Sequence, residues 1–196
     1  MPSSKKAPSP PAYRLKITLA NIQPLIWRRI EVSSSIKLCC LHSAFQVVMG
    51  WTECHLHQFE KDGKVWADPQ FDEFGESLLD DAKALLSDLL ETEGDTMVYL
   101  YDFGDNWRHE VLLEKIVPVD QKLKVPMCMG GERRCPPEDV GGVPGYARFL
   151  EAIVDPTHID HEELVNWVGG HFFDRFDVDE VNRALGTMRW PVRHRR

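Results

Sequence analysis

The stretch MVYLYDFGDNWRHEVLLEKI, Met97 to Ile116, decides the fold. Apolar and polar residues alternate on both sides of Phe103-Gly104-Asp105-Asn106, a period of two that belongs to a half-buried strand. A glycine among short polar residues is turn chemistry, so the stretch reads as a β-hairpin. With a four-residue loop over 103–106, Asp102 faces Trp107 and Leu100 faces His109, which sets Asp102, Trp107 and His109 on one sheet face. A carboxylate diagonal to an imidazole can hold a metal or run acid/base chemistry, because it raises the imidazole pKa and fixes its tautomer. The same residues can also serve structure alone, with Asp102 and Asp105 bonding turn amides and His109 bonded within the sheet.

Outward from this hairpin, Tyr13 to Leu19 and Ile26 to Val32 also alternate and read as two antiparallel strands. Leu38, Leu41, Phe45, Val48 and Met49 fall on one helical stripe that Gly50 can cap. His55 to Lys61 and Lys64 to Trp66 flank Asp62-Gly63, a second hairpin. The long apolar run Leu78 to Leu90 suits a helix. Pro118 to Gly145 is rich in proline and glycine and reads as a long, irregular, ordered connection of the kind that carries function. A helix follows through Tyr146, Phe149, Leu150 and Ile153, then two more opened by Asp160 with Glu163 and by Asp177 with Glu180, the last ending near Gly186. The expected fold is α+β in a single domain over 13–187, antiparallel hairpins forming a sheet with helices packed on it and a helical C-terminal part. Residues 1–12 read as a disordered Pro/Ser-rich leader and 188–196 as a basic tail.

Composition agrees with a soluble globular chain: of 196 residues 43% are apolar and 28% charged, and 23 Lys+Arg against 31 Asp+Glu leave a net charge of −8. Collagen, coiled-coil and disulfide-scaffold classes are excluded, and no apolar run approaches the roughly 20 residues that span a bilayer. A start without an apolar signal core and an odd five cysteines point to reduced thiols in the cytoplasm. Acidity opposes nonspecific phosphate binding, so a nucleic-acid partner would need a local basic patch.

His55-Leu56-His57 places two imidazoles on the same side of an expected strand, a spacing that can hold a metal with a third ligand from elsewhere or simply lie on a solvated face; adjacent Cys54 would point away. In CMGGERRCPPEDVGGVPGY, Cys128 to Tyr146, the cysteine spacing is not that of a zinc knuckle, and the glycines make no Walker-type loop. Glu138 and Asp139, between Pro136-Pro137 and Gly141-Gly142, are carboxylates held at a fixed place in a loop, for a site or for capping. Nucleophile-elbow, zincin and dinucleotide motifs are missing from the sequence. The tryptophans can supply binding surface or anchor the core.

Four ordered blocks, YRLKITLANIQPLIWRRIEV, MGWTECHLHQF, YDFGDNWRHEVLLE and GERRCPPEDVGGVPGY, resemble the plasmid pRiA4b ORF-3-like family from Tyr13 to about Leu185. Its members are also described as TnpR-like passenger proteins of insertion sequences. The resemblance implies an α+β fold and a link to plasmids or mobile elements, with no catalytic assignment to transfer. Two expectations follow. One is a non-enzymatic binding or adaptor domain with a nucleic acid or a protein as partner and no membrane, presenting Trp51, His55, His57, Asp105, Trp107 and Tyr146. The other is a metal-dependent hydrolase or nuclease in which His55, His57, Asp102 and His109 hold a divalent metal such as zinc, manganese or magnesium, with Asp102, His109, Glu138 and Asp139 as candidates for the chemistry.

Overall fold

The computed structural model describes residues 10–71, 78–118, 126–170, 172 and 174–188. Alternation along the chain becomes one sheet. Strands β1 (Ala12–Leu19), β2 (Trp27–Ser33), β3 (His57–Lys61), β4 (Lys64–Ala67), β5 (Leu79–Asp80), β6 (Thr96–Tyr101), β7 (Trp107–Val117) and β8 (Met127–Glu132) lie in the order β5-β4-β3-β6-β7-β1-β2-β8. Their pairings are antiparallel except β4 with β5. Helix α1 (Leu38–Met49) packs its apolar stripe on this sheet: the Phe45 ring stands edge-on to Tyr99 at 5.1 Å and tilted to Phe59 at 6.2 Å. Gly50, at φ 85°, caps the helix. Helices α2 (Gly142–Val154), α3 (His161–Trp167) and α4 (Val178–Thr187) follow the strands, so the architecture is the expected single-domain α+β. No helix among the described residues is long and apolar enough to cross a membrane.

The central hairpin differs from its sequence reading by one residue. Tyr101 pairs with Trp107 and Tyr99 with His109, leaving a five-residue loop over 102–106. Asp102 and Asn106 take positive φ at its two ends, and the Asp102 carbonyl accepts from the Asn106 amide at 2.6 Å. Short polar side chains tolerate this left-handed conformation. Asp102 therefore stands outside the strand face it was expected to share with Trp107 and His109.

Four further points depart from the reading. In place of a helix over 78–90 the chain forms β5 and a 3-10 turn, Leu86–Asp88. Its amides are used elsewhere: Ala82 N bonds the Asp80 carboxylate, Leu85 N the Asp88 carboxylate, and Leu86 and Ser87 the carbonyls of Ile36 and Ser34. The connection 118–145 contains strand β8, paired with β2; 119–125 lie outside the described residues. Close approach explains Gly131 in this strand, since a Cβ there would stand 2.8 Å from Arg28, Phe176 and the Trp27 carbonyl. Asp177 caps α4 through the amides of Asp179 and Glu180, as expected, whereas the Asp160 carboxylate makes no cap bond and lies 3.3 Å from Arg148. Ala12, assigned by sequence to the leader, opens β1; 1–9 and 189–196 lie outside the described residues.

Candidate metal centre

Three loops meet at one end of the sheet, and side-chain hydrogen bonds lace them together. The loop after α1 brings Trp51, whose Nε1 donates to the Pro136 carbonyl at 2.9 Å. Thr52 donates to Glu138 through its amide and, at 2.5 Å, through its hydroxyl, while the Tyr101 hydroxyl donates to the same carboxylate at 2.5 Å. The hairpin loop joins from the other side: Asp105 Oδ2 accepts from Gly141 N at 3.1 Å. A Cβ on Gly142, at φ 66°, would come within 2.5 Å of the Asp105 carbonyl, so only glycine allows this approach. Burial acts to raise the Glu138 pKa, but its bonds from Thr52 and Tyr101, with the field of His55, outweigh it and hold the carboxyl below its ordinary value. Burial and the neighbouring Glu138 push the Tyr101 phenol up, so it stays a donor at neutral pH.

This lacing brings His55, Asp102 and Asp139 together, with one ligand atom from each within 4.8 Å of the others. His55 Nε2 lies 3.2 Å from Asp139 Oδ1 and 3.6 Å from Asp102 Oδ2. Despite these distances the buried Nε2 has no hydrogen-bond partner, because the contacts are electrostatic and lack hydrogen-bond geometry. Asp102 is fixed by its other oxygen, which accepts from the amides of Gly104 at 2.9 Å and Asp105 at 3.2 Å. Asp139, with a side chain 70% exposed, keeps the centre open to solvent. Metal bonds of about 2.1 Å set neighbouring ligand atoms roughly 3.0 to 3.5 Å apart in tetrahedral or octahedral shells, close to the spacing of His55 from both carboxylates.

The other sequence candidates are placed elsewhere. His57 does not share a strand face with His55, which precedes β3; its Nε2 lies 3.0 Å from buried Asp81, and its ring stacks on His42 at 3.5 Å. His109 is fully buried in the sheet with Nδ1 3.2 Å from the Tyr99 carbonyl, and burial pushes its pKa down to about 4. It is a neutral core group facing Trp51 edge-on at 5.4 Å, not a member of the cluster. Of the expected four-residue set the structure brings His55 and Asp102 together, with Asp139 beside them, while His57 and His109 are engaged by other elements. Trp107 and Tyr146 are almost wholly buried, and Trp51, also buried, lines a cleft beside α1; burial raises the Tyr146 hydroxyl to about 12. Asp105 serves the loop contact, and Glu138 fastens the loops together. Sequence reasoning missed Thr52 and Tyr101 as partners of Glu138; their only signal was that they fall within the second and third of the four blocks.

The fold and the four sequence blocks together define one class of protein. The model of the plasmid pRiA4b ORF-3-like family matches residues 11–184, and the chain belongs to that family. Among its relatives is the uncharacterized protein y4hQ of Sinorhizobium fredii, 36% identical over 188 residues that cover 93% of this chain and 96% of the relative. A crystal structure of the protein of unknown function MM3350 from Methanosarcina mazei Go1 is also similar, with 39% identity and a TM-score of 0.80 over 89% of this chain and 98% of that one.

Proposed function

We propose that the protein binds a divalent metal ion through His55, Asp102 and Asp139 and acts as a metal-dependent hydrolase. The observation that carries this reading is the buried His55 Nε2, unbonded, facing two carboxylates. An imidazole lone pair and two negative charges converge favourably only around a cation. A nitrogen and two oxygens suit zinc or manganese, and three protein ligands leave a position for water or substrate. Held there, such an ion would lower the pKa of a bound water towards neutrality and would polarise an ester or amide. Asp102 and Asp139 supply the charge; Glu138, its oxygens already engaged by Thr52 and Tyr101, positions the loop.

The rival to this reading is a plain ion pair of His55 with the two carboxylates. Metal analysis and calorimetric titration of the chelator-treated protein with zinc and manganese separate the two. One ion per chain is expected, with affinity reduced about a hundredfold or more in Asp139→Asn, by analogy with the losses caused by disturbing a metal's ligand shell. Asparagine tolerates the left-handed backbone that Asp139 adopts, φ 60°, so the fold should survive. No saturable binding of either ion sinks the metal reading.

A second reading is a non-enzymatic binding or adaptor domain linked to plasmids, as the family's name suggests. The exposed apolar side chains of Phe103, on the hairpin loop, and Leu56, beside His55, favour it. A metal-free protein with salt-dependent retention on DNA would support this reading; retention unchanged by salt would count against the nucleic-acid link.

A further inference from the structure

A cleft of about 930 Å³ lies between the end of α1, residues 134–138 and α4, and three arginines line it: Arg28, Arg134 and Arg175, the last paired with Asp177. Arg28, 1% exposed, lines it from the buried side. Its Nε donates to the Val48 carbonyl at 2.8 Å, Nη1 to the carbonyls of Trp27 and Glu132, and Nη2 to Cys135 Sγ at 3.2 Å. Every one of these acceptors is neutral: burial raises the pKa of Cys135 and keeps it a thiol. The guanidinium also lies over the Phe176 ring at 4.1 Å. Among the described residues no carboxylate forms an ion pair with Arg28. Hydrogen bonds to neutral groups satisfy its N–H donors but leave a buried positive charge without a counter-charge, a costly arrangement in a low dielectric.

Arg134 lines the exposed side of the same cleft. Its guanidinium lies 5.1 Å from the Phe172 ring, and among the described residues it too has no carboxylate ion-pair partner. Three of the four acids that share the cleft have other partners. Asp174 takes Arg133 Nε at 2.6 Å and the Arg134 amide; Asp177 caps α4 and takes Arg175; Glu138 takes Thr52 and Tyr101. Glu180 is exposed. Met49, Trp51 and Val181 add apolar wall.

We propose that this cleft binds a small ligand carrying an oxyanion, a phosphate or a carboxylate, held directly by Arg134 and drawn in by the uncompensated charge of Arg28. The proposal does not rest on the metal centre.

Calorimetric titration of the full chain, stripped of metal with a chelator and kept at constant ionic strength with chloride, tests it with inorganic phosphate and with succinate as probes. Saturable binding is expected. Arg134→Gln should weaken it about tenfold or more, the worth of one charge-assisted hydrogen bond. Arg148→Gln removes the same charge from α2, outside this cleft, and should leave affinity within about twofold, since an exposed charge at a distance is screened. Binding of phosphate alone assigns a phosphate ligand, and binding of succinate a carboxylate ligand. The proposal is overturned if neither probe binds saturably, or if Arg148→Gln weakens binding as much as Arg134→Gln.

Discussion

His109 shows what burial does to a single titratable side chain. Its ordinary pKa of 6.5 falls to about 4 because desolvation opposes the charged imidazolium more strongly than the carbonyls of Tyr99 and Trp107 favour it. In the unfolded chain the same imidazole takes up a proton below about 6.5, while the folded protein refuses it until about 4. The unfolded state therefore binds more protons across that window, and stability falls as the pH is lowered through it. The full loss is roughly 3 kcal/mol from this group. Urea denaturation at pH 7, 5.5 and 4.5 should show a steep acid limb that flattens in His109→Asn; an equally steep limb in the variant would assign the acid sensitivity to other residues.

At the scale of elements, the docking of the hairpin loop on the start of α2 controls where Asp139 stands. Gly142→Ala puts a Cβ against the Asp105 carbonyl at a positive φ, so the two loops must separate or distort. A loss of about 1–3 kcal/mol is expected from the strain, together with weaker metal binding, while far-ultraviolet circular dichroism stays that of the native fold. Unchanged metal affinity in this variant would show that the contact does not set the centre. Elements whose pattern is local were legible: β1 and β2 from alternation, α1 from its stripe and Gly50, the β3–β4 turn from Asp62-Gly63. The run 78–90 was not, because its amides bond Ser34, Ile36 and the chain's own aspartates. Strand β8 was hidden because its Gly131 answers to Arg28, Phe176 and Trp27, residues distant in sequence. The candidate site was half legible. His55, Asp102 and Asp139 each stood out, yet their grouping needed a five-residue loop instead of four, and Asp81 and His42 to occupy His57.

At the scale of the whole molecule, both edges of the sheet are blunted. Strand β5 has two residues, and β8 is covered by α4, where Asn182 accepts from the Cys128 amide at 2.8 Å and donates to the Cys128 carbonyl at 2.9 Å. Asn182→Ala should cost about 1–3 kcal/mol, the desolvation penalty of polar groups left without partners, and should speed amide exchange along β8. Unaltered exchange there would mean that apolar packing of α4 alone secures the edge. The proposed ligands His55, Asp102 and Asp139 come from an early loop, the central hairpin and the segment leading into the last helices, so an ion among them would rivet together regions far apart in sequence. Heat resistance would then track the supply of that ion, rising with its free concentration and falling when a scavenger removes it.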